Sequence, residues 1–347
     1  MPRRLVLTLA VVCAAVLAGV WLIRMSPGPS GADSTPAAVS PAVAQLLDEP
    51  VDRYVALGDS FTAGPLVPYV DATRPACLRS TANYPAVLAA WLPAARLVDV
   101  SCSGAETADL RRPQQGFGPA AQPQLRAVTE GTDLVTIGMG GNDFGLFGTL
   151  VGRCPALAAS DPNGSPCRQA FTAADGTDVL QARLPRIEAR LVDAVRAVQE
   201  RAPDAVVAVV GYPRLVPASG SCADLPLAAG DYVWADRVQR GLNTALASAA
   251  AAAGVAYVDT YTGSAGHDVC ATEPWVNGAR TLPTQALAYH PNAAGMRSTA
   301  LAVLRALTDS GVTRQQRAQA RLLSEQRPPG TLSLRQQRVI ATLLGIR

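Results

Sequence analysis

The sequence predicts an α/β domain built on a five-stranded parallel sheet with helices on both faces. Five short apolar, β-branched runs lie at Arg53–Leu57, Arg96–Val100, Leu134–Gly138, Ala205–Val210 and Val255–Asp259. Helical stretches alternate with them, clearest at Leu180–Arg201, Asp231–Ala253 and Asn292–Asp309. The residues able to do chemistry fall just after the runs, and parallel sheets bind ligands at the carboxyl ends of their strands.

Each element has its own justification. A short continuous apolar run ending at a glycine, such as Arg53–Leu57 before Gly58, reads as a buried strand feeding a turn. Buried strands separated by helices require crossovers, hence a parallel sheet covered on both faces. Asn292 is a natural N-cap for the last helix. Gly145–Thr177 is a long irregular insertion after the third strand, expected to shape a substrate pocket.

The remaining chain divides into segments. Residues 1–24 carry Arg3 and Arg4 before an unbroken apolar run from Leu5 to Ile23. Such a run approaches the ~20 residues of a membrane-spanning helix, and the nearest Ala-x-Ala site, at Ala42–Ala44, lies far downstream. A signal anchor is therefore favoured over a cleaved signal peptide, and either places the domain outside the cytoplasm. Residues 25–49, rich in Pro, Ser and Ala, read as a flexible linker. The folded domain is expected over 50–311, and 312–347 is a basic tail. In it, arginines from Arg314 to Arg347 face a single acid, Glu325. That pattern fits an amphipathic helix on an anionic membrane, but a solvated helix or disordered tail is the preferred expectation.

Composition excludes several classes. The net charge is +3 with no basic stripe, so no nucleic-acid partner is expected. There is no lysine, which removes Schiff bases, Ser-Lys dyads and P-loops. Cys13 sits in the apolar run. The other six cysteines form no CxxC or zinc pattern, and in an exported domain an even set reads as disulfides. Nearest-neighbour pairing is expected, Cys77–Cys102, Cys154–Cys167 and Cys222–Cys270, since each closes one loop between core elements; buried free thiols are the alternative. No metal or cofactor is expected, and Gly138–Asp143 lacks the third glycine of a dinucleotide fingerprint.

Four constellations carry chemistry. The first strand ends in Gly58-Asp59-Ser60, a turn that can lift a hydroxyl into the cleft; a helix N-cap serine is the alternative. The second is followed by Ser101-Cys102-Ser103-Gly104, and the third by Gly140-Gly141-Asn142-Asp143. His290-Pro291-Asn292 precedes the final helix. Together they supply a nucleophile (Ser60), a base (His290) and oxyanion donors (the Ser60 and Gly104 amides and the Asn142 side chain). Asp59 and Asp143 are expected to hold turns. His267 is the rival base, placed in a loop beside Cys270.

In order along the chain, Ser60, Gly104, Asn142 and His290 resemble the four blocks of the SGNH (GDSL) hydrolase superfamily. The extended forms Tyr54–Gly64 and Gly140–Phe144 are specific, and the likeness runs roughly from Val51 to Ala306. The six cysteines, His267–Cys270 and Trp275–Gly278 resemble its secreted actinobacterial esterase and lipase branch. The resemblance implies a three-layer α/β/α sandwich of flavodoxin-like type and hydrolysis of small-molecule or lipid esters through an acyl-enzyme. A monomer is expected. Most of the family has an aspartate three residues before the histidine, where this chain has Leu287. Some similar enzymes orient the imidazole with a backbone carbonyl, which implies a Ser60–His290 dyad oriented by the Leu287 carbonyl. A carbohydrate deacetylase, a phospholipase, a thioesterase, or a tethered binding protein without turnover are the alternatives.

Overall fold

The computed structural model describes residues 51–92, 95–115, 120–308 and 313–346. The expected signal anchor at 1–24 and linker at 25–49 lie outside the described residues. Strands β1 (Arg53–Gly58), β2 (Arg96–Asp99), β3 (Leu134–Gly138), β4 (Val206–Val210) and β5 (Ala256–Val258) form one sheet in the order β2-β1-β3-β4-β5. Every pairing is parallel. Among the described residues no helix is long and apolar enough to cross a membrane.

The alternation of side chains along the central strands builds the layers. Val55, Leu57, Val135, Ile137, Val207 and Val209 face one side. There they meet helices α2 (Leu184–Arg201) and α3 (Tyr232–Ala252). Tyr54, Ala56, Leu134, Ala208 and Val210 face the other, against α1 (Tyr84–Trp91) and α4 (Ala293–Leu307). The result is a three-layer α/β/α sandwich. Helix α2 buries Leu184, Ile187, Leu191, Val195 and Val198, a stripe at helical spacing. Truncating a fully buried strand residue such as Ile137 to alanine would cost about 2–5 kcal/mol.

The helix ends are set by side chains. Asn83 caps α1 by accepting from Ala86 N, and Asn292 caps α4 by accepting from Ala294 N and Gly295 N. From β1 the chain steps outward to β2, then returns past β1 to β3. The strand order therefore reverses at the carboxyl ends of β1 and β3, the crevice where such sheets bind ligands.

The C-terminal segment, expected as a solvated helix or a disordered tail, is helical with its arginines exposed but is docked on the domain. It forms two capped helices, α5 (Arg314–Glu325) and α6 (Leu334–Leu343), each with a Thr/Ser–Gln capping box. Helix α5 lies on α1: Trp91 Nε1 donates to Gln316 O at 2.8 Å, and Ala320 is buried. Helix α6 is pinned by the fully buried Gln337, which accepts from Val70 N and donates toward Leu66 O and Pro283 O. Arg314, Arg317, Arg321, Arg335 and Arg338 all point to solvent.

The insertion at 145–177 is a series of short helical turns. The Cys154–Cys167 disulfide closes it, and buried Asp231 accepts from Cys167 N and Arg168 N. Cys77–Cys102 and Cys222–Cys270 are also bridged.

Candidate active site

Strand β1 delivers Ser60 to the crevice through a tightly held turn. Asp59 N donates to Gly138 O at 3.0 Å. The Gln124 side chain clamps both backbone groups of Gly58, at 2.8 and 2.9 Å. Gly58 can only be glycine: a Cβ there would lie 2.1 Å from Thr62 Oγ1 and 2.8 Å from Gly138 O. Asp59 then caps a single helical turn, Ser60–Ala63, by accepting from Phe61 N at 2.8 Å. Burial pushes the Asp59 carboxyl up to about 7, against the opposing hydrogen bonds from Tyr212 and Phe61.

His290 meets the serine from the loop before α4. Its Nε2 lies 2.7 Å from Ser60 Oγ, and its Nδ1 lies 2.7 Å from the carbonyl oxygen of Ala288. A carbonyl only accepts, so the ring proton sits on Nδ1 and Nε2 is left to accept from the hydroxyl. This corrects the expected orienter. The Leu287 carbonyl instead accepts the backbone N–H of His290 at 3.2 Å. The reason is Tyr289, whose φ of 61° turns the chain so that the carbonyl of Ala288 faces the ring. The imidazole packs against Phe61 with ring centroids 5.1 Å apart. Burial lowers its pKa to about 4, partly offset by the bond to Ala288.

The turns after β2 and β3 close around the same point. Cys102 N donates to Gly58 O, and Ser103 N to Cys77 O, both at 3.1 Å. These bonds hold the Gly104 turn beside the serine's turn. Gly104 is exposed with φ +80°, a conformation a side chain would strain. Asn142 Nδ2 donates to Ala105 O at 3.0 Å, which fixes the amide and leaves its second N–H for another acceptor. Asp143 is fully buried and accepts from Thr107 N, Thr107 Oγ1 and Arg190. It is a structural carboxylate joining the β2 and β3 loops to α2.

One residue that the sequence reading passed over ties the site together. Tyr212, just after β4, donates its hydroxyl to Asp59 Oδ2 at 2.6 Å and accepts from Gly141 N at 2.7 Å. Its backbone is gripped in turn by the Asn243 side chain of α3, at 2.8 and 3.0 Å. Its place just past a predicted strand, in Gly211-Tyr212-Pro213, is the signal that could have found it. Phe61 and Phe147 complete an aromatic cluster around Tyr212. His267 is held elsewhere, its Nδ1 at 2.7 Å from Glu273 O and its ring stacked on Trp275.

A serine hydroxyl bonded to an imidazole at the switch point of a parallel sheet has the geometry of a nucleophile beside its base. The chain belongs to the GDSL-like lipase/acylhydrolase family, whose model matches residues 56–298, and is an ester hydrolase. It is 39% identical over 299 residues to Lipase 2 of Streptomyces coelicolor, covering 83% of this chain and 94% of that protein. It is 35% identical over 255 residues to a lipase of Streptomyces rimosus, covering 74% and 86%. Among solved structures it is similar to an extracellular lipase from Streptomyces rimosus, with TM-score 0.60 and 34% identity over 74% of this chain and 99% of that one. It also resembles phospholipase A1 from Streptomyces albidoflavus NA297, with TM-score 0.62 and 29% identity over 74% and 100%.

Proposed function

We propose that the protein is an exported serine esterase or lipase that works through a Ser60–His290 dyad without a third carboxylate. The 2.7 Å contact between Ser60 Oγ and His290 Nε2 carries this reading. Ser60 Oγ attacks the ester carbonyl as its proton passes to His290 Nε2. The amides of Ser60 and Gly104 and the free N–H of Asn142 receive the oxyanion. His290 then gives the proton to the departing alcohol, takes one from a water as that water attacks the acyl carbonyl, and returns it to Ser60 Oγ as the Oγ–acyl bond breaks and the acid leaves. The Ala288 carbonyl holds the tautomer throughout, though it stabilises the imidazolium less than a carboxylate would.

Three disulfides and the apolar N-terminal run support a place outside the cytoplasm. A phospholipid is the second substrate reading, favoured by the likeness to the Streptomyces albidoflavus phospholipase A1. Labelling with a fluorophosphonate, together with nitrophenyl ester turnover, tests the dyad. Both should disappear in Ser60→Ala. Labelling that persists in that variant would assign the nucleophile elsewhere, and an unlabelled wild-type protein would point to a binding protein.

A further inference from the structure

A cavity of about 700 Å³ opens from Ser103 and Gly104, at the β2 edge of the site. Its walls include the Cys77–Cys102 disulfide and, from the far end of the chain, Ile340 and Leu344. That size is typical of small-molecule pockets, which are roughly 300–1,000 Å³ and mainly apolar. The insertion at 145–177, expected to shape a substrate pocket, does not line it.

Helix α6 reaches this cavity by construction. Gln337, Ile340, Ala341 and Leu344 recur at helical spacing and form its inner stripe. Gln337 and Ala341 are buried, and Ile340 and Leu344 pack with Leu66, Val70 and Leu78. The hydrogen bonds of Gln337 to the 66–70 loop hold the helix in place. None of α6 lies within residues 56–298, the part matched by the family model.

We propose that α6 is a wall of the acyl pocket, and that Ile340 and Leu344 set the acyl length the enzyme accepts. This rests on the Ser60–His290 reading. His290 must hand its proton to the departing oxygen, so the alcohol leaves on the imidazole's side. The cavity meets the site at the Gly104 turn alone, and its lining includes neither Ser60 and Asn142 nor any residue of the His290 turn. An apolar chain extending from the carbonyl past Gly104 would run over the disulfide toward Ile340 and Leu344. The substrates implied are esters of medium- to long-chain fatty acids.

The test uses the full-length chain and nitrophenyl esters from acetyl to palmitoyl, with Leu344→Trp, Ile340→Trp and Leu344→Ala. Cooperative thermal unfolding checks that each variant folds. With tryptophan, kcat/KM for octanoyl and longer esters should fall at least about tenfold more than for the acetyl ester, one logarithmic step in discrimination. With alanine, the preferred length should move upward. A loss equal across the series, or no change in the profile, overturns the proposal. So does a selective loss on octyl acetate that spares nitrophenyl octanoate, because the cavity would then hold the alcohol. A binding arm is independent of turnover: decanoate should raise the Tm of Ser60→Ala protein and fail to do so after adding Leu344→Trp. If Ser60→Ala leaves ester turnover intact, the dyad reading fails. A flat length profile with Ser60-dependent turnover removes only the role of α6.

Discussion

The Tyr212 hydroxyl stands between Asp59 and Gly141, donating to the first at 2.6 Å and accepting from the amide of the second at 2.7 Å. One oxygen thereby couples the turn that carries Ser60 to the turn that carries Asn142, with the aromatic ring held among Phe61 and Phe147. Tyr212→Phe keeps the ring but leaves a buried carboxyl and a buried amide without their partner. The expected cost is about 1–3 kcal/mol of stability. If the coupling positions the site, kcat should fall by about tenfold or more with KM little changed, and urea unfolding should report the stability loss separately. Loss of stability with full kcat would leave Tyr212 a purely structural residue.

Asn142 offers the cleanest measure of the oxyanion reading, because its amide is oriented by Ala105 O rather than by the serine or the histidine. Asn142→Ala should lower kcat by about 10²–10³-fold, the range seen when one such donor is removed. Fluorophosphonate labelling should slow while the fold is kept. A variant with near wild-type kcat would take the side chain out of the mechanism.

Burial keeps the His290 imidazole neutral well into acid, which on the proposed mechanism leaves it able to act as the base. With its pKa lowered to about 4, kcat/KM should be level from neutral pH to about 5 and fall as the imidazole protonates below that. An inflection at 6 to 7 would mean the ring is better solvated than its packing against Phe61 implies. Stability responds to the same group and to Asp59 with opposite signs. For His290 the unfolded chain takes up a proton near 6.5 and the folded chain only near 4, so its contribution is present above 6.5 and lost as pH falls. For Asp59, raised from 3.8 to about 7, the folded chain keeps its proton longer, so stability is lost as pH rises through that window. Asp59→Asn should therefore compare more favourably with wild type at pH 7.5 than at pH 4, read by urea unfolding at both.

How far the sequence carries depends on what kind of signal each part leaves. β3 is a run of apolar residues closed by glycine, and it occupies the same residues in the fold as in the reading, Leu134–Gly138. Ser60, Gly104, Asn142 and His290 were legible because each sits just past a strand or just before a helix. The short helix at Tyr84–Trp91 was not: its apolar residues show no amphipathic stripe, being covered by α4 on one side and α5 on another. The docking of α5 and α6 was hidden because their most deeply buried residues are Ala320, Gln337 and Ala341, small or polar, the larger apolar side chains Leu323, Ile340 and Leu344 being only partly buried, while the arginines that dominate the composition face water. The orienter was displaced by one residue because the left-handed backbone at Tyr289 leaves no trace in an alternation of residue types.

Leu287 occupies the position where most of the superfamily is expected to carry an aspartate, and restoring that residue tests what has replaced it. Its backbone is fixed twice, donating to Pro65 O at 3.0 Å and accepting from His290 N. Its side chain packs with the cluster of Leu66, Leu78, Ile340 and Leu344 that seats α6. The imidazole Nδ1 is already taken by Ala288 O. An aspartate here would put a carboxylate against apolar side chains, with the ring nitrogen it would pair with already engaged, which is unfavourable for a charged group. Leu287→Asp should therefore lower Tm by several degrees and give no gain in kcat, whereas Leu287→Met, similar in volume, should be near neutral. A rise in kcat with an upward shift of the acid limb of the pH profile would show instead that the carboxylate had found His290, and that the dyad is one substitution from a triad.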